Sequence, residues 1–127
     1  MKILLAEDNK VNQLVAKRIL TNWGVELTIA EDGQKAVDAV KNQSFDLILM
    51  DIQMPNLNGY DATDQIRKMP APKGNIPIIA MTASSLKIAK KAKIHKMNGY
   101  IGKPFNPEEL LVALSKYRGF KSSFVLN

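Results

Sequence analysis

The chain has 127 residues, 46% of them hydrophobic and 24% charged, with a formal net charge of +6 and no cysteine. That length suits one domain around a single core and is too short for two, and the lack of cysteine excludes a disulfide framework or a thiolate-ligated metal. The amino terminus, MKILLAEDN, meets Glu7 and Asp8 after a short aliphatic run, so a soluble, cytoplasmic protein without a leader or membrane span is expected.

Lys2 to Ala6 reads as a buried first strand running into Glu7-Asp8-Asn9. Two adjacent acids at a strand end repel each other unless a cation sits between them, which makes the pair a metal signal. Val11, Leu14, Val15, Ile19 and Trp23 suggest the inner face of a helix that Gly24 can end. Val25 to Ala30 is a second strand, and Asp32-Gly33 turns the chain into a helix with Ala36, Val37 and Val40 inward. Asn42 to Ser44 closes that helix.

The third strand is the centre of the pattern. Its run Leu47-Ile48-Leu49-Met50 ends on Asp51, followed by a loop containing Met54-Pro55 and Gly59. Taken alone, Asp51 is either a helix cap or the centre of a site. A helix over about Tyr60 to Lys68 and a polar surface connection from Met69 to Asn75 follow. Ile76 to Met81 is a fourth strand ending in Thr82-Ala83-Ser84, and a helix over about Ser85 to Met97 comes next. Tyr100 to Gly102 is a short fifth strand ending at Lys103-Pro104. Asn106 caps a last helix, with Pro107 at its first position, Glu108 and Glu109 in its first turn, and Leu110, Leu111, Leu114 and Tyr117 inward.

Strands alternating with helices imply an α/β protein, a parallel sheet covered on both faces. If the strand order is the doubly wound 2-1-3-4-5, Glu7, Asp8, Asp51, Thr82 and Lys103 converge on one rim beside the crevice between strands one and three. Three carboxylates, a hydroxyl and an ammonium suit phosphoryl chemistry: the acids hold Mg²⁺ and the other two groups bind phosphoryl oxygens. Asp51 is then the candidate nucleophile.

In this order and spacing, LLAEDN, DIQMPNLNG, IIAMTAS and YIGKPFNPEEL resemble a response-regulator receiver domain, and the style of AEDNKVNQLVAKRIL resembles receivers of hybrid sensor histidine kinases. The resemblance implies a flavodoxin-like (βα)5 fold over residues 1–117, with 118–127 as a short tail. It implies a phosphoacceptor of two-component phosphorelay, taking a phosphoryl group from a histidine kinase or a histidine phosphotransfer protein onto Asp51. Such a module catalyses only its own phosphorylation and dephosphorylation, and the chain is expected either to stand alone or to be part of a hybrid kinase. Asp8 and Asp51 would ligate Mg²⁺ or Mn²⁺ directly, Glu7 largely through water, and the Gln53 backbone carbonyl would add a further ligand. Lys103 would pair with the phosphoryl group and precede a cis proline bond. Thr82 and Tyr100 would form the switch pair, altering the face made by the fourth helix, fifth strand and fifth helix.

The departure from the family pattern is basic. Lys87, Lys90, Lys91, Lys93 and Lys96 stand between Leu86 and Met97 with no acid, and His95 joins them. This local patch carries most of the net charge, and without interleaved aromatics it disfavours nucleic acid. The plainer reading is a solvated helix face; the sharper one is an acidic protein partner at the Lys87–Lys96 helix, or else a nucleic acid backbone. Two other readings compete for the whole chain. An aspartyl phosphatase would need a second acid where Gln53 stands, to protonate the leaving group. A vestigial receiver, acting as a docking module without phosphorylation, would share the fold and not the chemistry.

Overall fold

The computed structural model describes residues 1–82, 96–103 and 106–117. Strands β1 (Lys2–Ala6), β2 (Glu26–Ala30), β3 (Leu47–Asp51), β4 (Ile78–Thr82) and β5 (Gly99–Gly102) form one parallel sheet in the order β2-β1-β3-β4-β5. Helices α1 (Lys10–Asn22), α2 (Gly33–Asn42) and α3 (Gly59–Arg67) follow the first three strands, and a final helix, Pro107–Ser115, follows β5. This is the flavodoxin-like, doubly wound order that the sequence predicts. Most of the expected lysine-rich helix, Pro104 with its Lys103 bond, and the 118–127 tail lie outside the described residues.

Alternation along each strand builds two cores. Leu4, Ile48, Met50, Ile78 and Ala80 face Ala36, Val37 and Val40 of α2 and Ala62 and Ile66 of α3. Ile3, Leu5, Leu47, Leu49, Ile79 and Met81 face Ala16 and Leu20 of α1 and Leu110 and Leu114 of the final helix. Because both faces are covered, the strands read as continuous aliphatic runs rather than alternating ones.

Asx residues set where the helices start. Asn9, Asp32, Asn58 and Asn106 accept backbone N–H bonds from the first turns of their helices, satisfying donors that have no partner inside the helix. Gly24, at φ 79°, follows the end of α1 in the left-handed region that glycine enters at little cost.

Helix α1 corrects one expectation. Ile19 and Trp23 do pack on the core, but Val11, Leu14 and Val15 are 69%, 52% and 40% exposed, and the fully buried positions are Ala16 and Leu20. At about 100° per residue, Leu14 lies about 160° around the axis from Ala16. The helix lays its smallest residue on the sheet, and its bulkier aliphatics near the amino end face outward.

The Met69–Asn75 connection is also more tightly held than a simple surface loop. Lys73–Asn75 forms a 3-10 turn, and Gly74 is buried. Arg67 donates to the carbonyls of Gly74, Ile76 and Lys96 and to Asn98 Oδ1, at 3.1, 2.6, 2.9 and 2.9 Å. Its half-buried guanidinium thus ties the end of α3 to the start of β4 and the turn before β5.

The α1 geometry predicts a contrast between two leucines. Leu20→Ala should cost about 2–5 kcal/mol of unfolding free energy because it empties a packed site, whereas Leu14→Ala should stay within about 0.5 kcal/mol. Urea denaturation of both variants checks this, and equal losses would contradict the observed face.

Candidate functional site: an acidic cleft at the carboxyl rim of the sheet

The rim where β1, β3, β4 and β5 end encloses a cleft of about 420 Å³ lined by Glu7, Asp8, Asp51, Gln53, Thr82 and Lys103, among others. Neighbouring β1 and β3 carry their following helices to opposite faces of the sheet, so their carboxyl ends open a crevice there. Glu7 and Asp51 are 0% and 5% exposed, whereas Asp8 faces solvent.

Lys103 bridges the two buried acids. Its Nζ lies 2.8 Å from Glu7 Oε2 and 2.8 Å from Asp51 Oδ2. The backbone delivers the ammonium, because Lys103 N donates to Thr82 O at 2.9 Å, tying the end of β5 to that of β4. Glu7 is held further by α1: Asn12 Nδ2 donates to its Oε1 at 2.8 Å and Gln13 Nε2 to its carbonyl at 2.6 Å. Neither amide was visible as a site residue in the sequence. The available signal was Asn9, whose cap places the first turn of α1 directly over the acids.

The carboxylates are electrostatically crowded. Burial, and then Glu7 beside it, push the Asp51 carboxyl up to about 6, with Lys103 pulling the other way. Burial also opposes ionisation of Glu7, but hydrogen bonds involving Asp51, Lys103 and Asn12 outweigh it and hold that carboxyl below its ordinary range. For Lys103, burial disfavours the ammonium, yet the two carboxylates win and raise it.

A divalent cation fits this arrangement. Donor oxygens of Glu7, Asp8 and Asp51 all lie within 4.8 Å of one another, and an all-oxygen set suits a hard cation such as Mg²⁺ or Mn²⁺. With Asp51 ionised, three carboxylates against one ammonium leave two negative charges in the cleft. Glu7 Oε2 is buried against the Lys103 ammonium at 2.8 Å, a contact that uses one of its lone pairs and leaves another for a cation or its water.

The structure thus brings Glu7, Asp8, Asp51, Gln53, Thr82 and Lys103 together. Tyr100 stands apart: it pairs with Ala80 across β5 and β4, is 45% exposed, and does not line the cleft.

Doubly wound sheet and acidic, lysine-bridged cleft together define a receiver domain. The family model described as the response regulator receiver domain matches residues 3–115, and the chain belongs to that family. Hybrid signal transduction histidine kinase I of Dictyostelium discoideum is 47% identical over 116 residues, 86% of this chain; the chain spans only 7% of that kinase's length. A solved receiver domain of a sensor histidine kinase from Pseudomonas aeruginosa, with a magnesium ion coordinated in its active site cleft, is 41% identical with a TM-score of 0.83. It covers 91% of this chain and 95% of its own. The receiver domain of the Saccharomyces cerevisiae response regulator Ssk1, solved with the histidine phosphotransfer protein Ypd1, is 30% identical with a TM-score of 0.84, covering 92% and 88% of the two chains.

The raised Asp51 value has a sign that can be checked. A carboxyl whose folded value exceeds its unfolded value favours folding when protonated, and this contribution is lost as pH rises through the folded value. Without divalent cations, Asp51→Asn should therefore stabilise the protein at pH 7, by about 1–2 kcal/mol, with the gain disappearing below about pH 4. Thermal unfolding across that range in chelator measures it; destabilisation at pH 7 would contradict the crowding described.

Proposed function

We propose that this receiver domain accepts a phosphoryl group from a phosphohistidine onto Asp51 in two-component phosphorelay, with Mg²⁺ or Mn²⁺ held by Glu7, Asp8, Asp51 and the Gln53 backbone carbonyl. The observation that carries the reading is the Lys103 ammonium in contact with Asp51 and Glu7 inside an all-oxygen cleft. A carboxylate oxygen of Asp51 attacks phosphorus, the P–N bond to the donor imidazole breaks, and the imidazole leaves with the P–N electron pair. The product is an acyl phosphate. Bound metal supplies positive charge to the phosphoryl oxygens and favours ionised Asp51.

This chain's own groups do the rest. Lys103 pairs with a phosphoryl oxygen once Asp51 has been modified, exchanging one anionic partner for another. Thr82, at the end of β4, offers its hydroxyl to a second oxygen. Movement of Thr82 towards the phosphoryl group frees space for the Tyr100 ring, and the face around β5 and the final helix changes as a result. Burial of Asp51 among strand ends limits water access to the acyl phosphate.

The donor is a histidine kinase or a histidine phosphotransfer protein, as the Ypd1-bound relative suggests. Its docking surface includes the exposed aliphatics Val11, Leu14 and Val15, which flank the same first turns of α1 that send Asn12 and Gln13 into the site. Lys10, Lys17 and Arg18 surround them with no acid on the helix, favouring an apolar donor patch with an acidic rim. An acidic partner at the lysine-rich stretch from Lys87 to Lys96 remains a separate proposal; salt-sensitive capture there is its test. The phosphorylation-independent docking role is disfavoured because the polar groups required by the chemistry meet in one cleft.

Two experiments test this. Mg²⁺-dependent binding of beryllofluoride, followed by backbone NMR, should be saturable, reach Tyr100 and vanish in Asp51→Asn; no binding to a folded wild-type protein would refute phosphoacceptance. Leu14→Asp should slow transfer from a phosphohistidine protein at least about 10-fold, as expected for an interface anchor, while leaving transfer from acetyl phosphate unchanged. Equal slowing with both donors would refute the docking assignment.

A further inference from the structure

The loop from Ile52 to Asn58 leads out of Asp51 and carries Gln53 on the wall of the cleft. Its ends are closed on each other by a bond from Gly59 N to Ile52 O at 2.9 Å, and Leu57 N bonds to Pro55 O at 2.7 Å. Across the rim stands the amino terminus of α2. There Asp32, 7% exposed, divides its carboxylate: Oδ1 caps the helix by accepting from Lys35 N at 2.8 Å, and Oδ2 accepts from Asn56 Nδ2 at 3.0 Å. Next to it, Gly33 leaves no room for a side chain, because a Cβ would run into the Leu57 carbonyl oxygen.

Asn56 sits at φ 66°, where glycine is the least strained choice. Asparagine is among the few side-chain-bearing residues that tolerate this region, and here its amide reaches a buried carboxylate 24 residues away in sequence. Glycine would relax the backbone and forfeit that bond.

We infer that Asp32 and Asn56 form a positioning clamp that holds the Ile52–Asn58 loop against the rigid start of α2, and so fixes the Gln53 backbone at the cation site. The inference rests on the metal-binding reading of the cleft. Asp32 and Asn56 do not line the cleft, so they act through the loop and are not ligands. Outer-shell partners that orient metal ligands change affinity by about 10–100-fold when removed. The clamp also anchors the loop to the helix-capping carboxylate itself, an atom whose position is set by α2.

The test uses Mg²⁺ titration of the free protein, read by backbone NMR, on wild type and three variants. Asn56→Gly keeps the positive φ and removes the amide; Asp32→Ser keeps a capping oxygen and removes the second acceptor; the third combines both changes. Each single variant should weaken Mg²⁺ binding about 10-fold, with the double variant no weaker than the singles because they break one bond. Amide exchange of Gln53 and Leu57 should accelerate while that of the β1 and β3 core is unchanged. Wild-type binding with Asn56→Gly unaltered within twofold would overturn the clamp and leave the site reading intact. Additive losses in the double variant would also overturn it. No Mg²⁺ binding by folded wild type would overturn both.

Discussion

Everything at the working end of this molecule depends on the ammonium of Lys103 standing between Glu7 and Asp51. The fold brings two carboxylates to the switch point of the sheet and buries both, which by itself is unfavourable because desolvation and mutual repulsion oppose ionisation of the pair. Lys103 offsets part of that cost through two contacts of 2.8 Å. It does not neutralise the cleft, since Asp8 adds a third acid within reach of the others. Burial first, and Glu7 after it, keep the Asp51 carboxyl displaced upward in spite of Lys103. A cleft left with surplus negative charge stands to gain free energy from a dication that enters it.

The strand ends were legible in the sequence because parallel β/α architecture makes them so. An aliphatic run that stops on Asp51, another that stops on Glu7-Asp8 and a third that stops on Thr82 can share a rim only in a few strand orders, and the observed order is one of them. The final helix was equally readable, since Asn106, Pro107 and two acids give consecutive local signals. Helix α1 was not. Its aliphatics outnumber those the sheet can cover, and periodicity alone could not say which stripe turns inward when the closest approach falls on an alanine. The outward stripe is a departure from simple patterning beside a site, and such departures tend to mark function.

The supporting contacts were also hidden, for a different reason. Asn12, Gln13, Asn56 and the close approach of Gly33 to Leu57 act across gaps in sequence or through single hydrogen bonds. Polar residues in loops and first turns carry no periodic signal, and each by itself reads as ordinary capping or solvation. Only the assembled rim shows that α1 steadies Glu7 from one side while α2 steadies the Ile52–Asn58 loop from the other.

That division of labour constrains how the proposed switch could work. The acids, the lysine and the loop are tied to β1, β5, α1 and α2 through short contacts, so a phosphoryl group placed on Asp51, as proposed, would meet a wall that yields little. Beside this rigid part lies Thr82, whose backbone carbonyl is bonded to Lys103 N while its side chain borders the cleft. Farther along, Tyr100 rides on β5 with nearly half its surface open. Free energy released at the rim moves whichever neighbouring element is least constrained. For the phosphorylation proposed above, that direction would run along β4 and β5 towards Tyr100, and away from α1 and α2, which hold the site through these contacts.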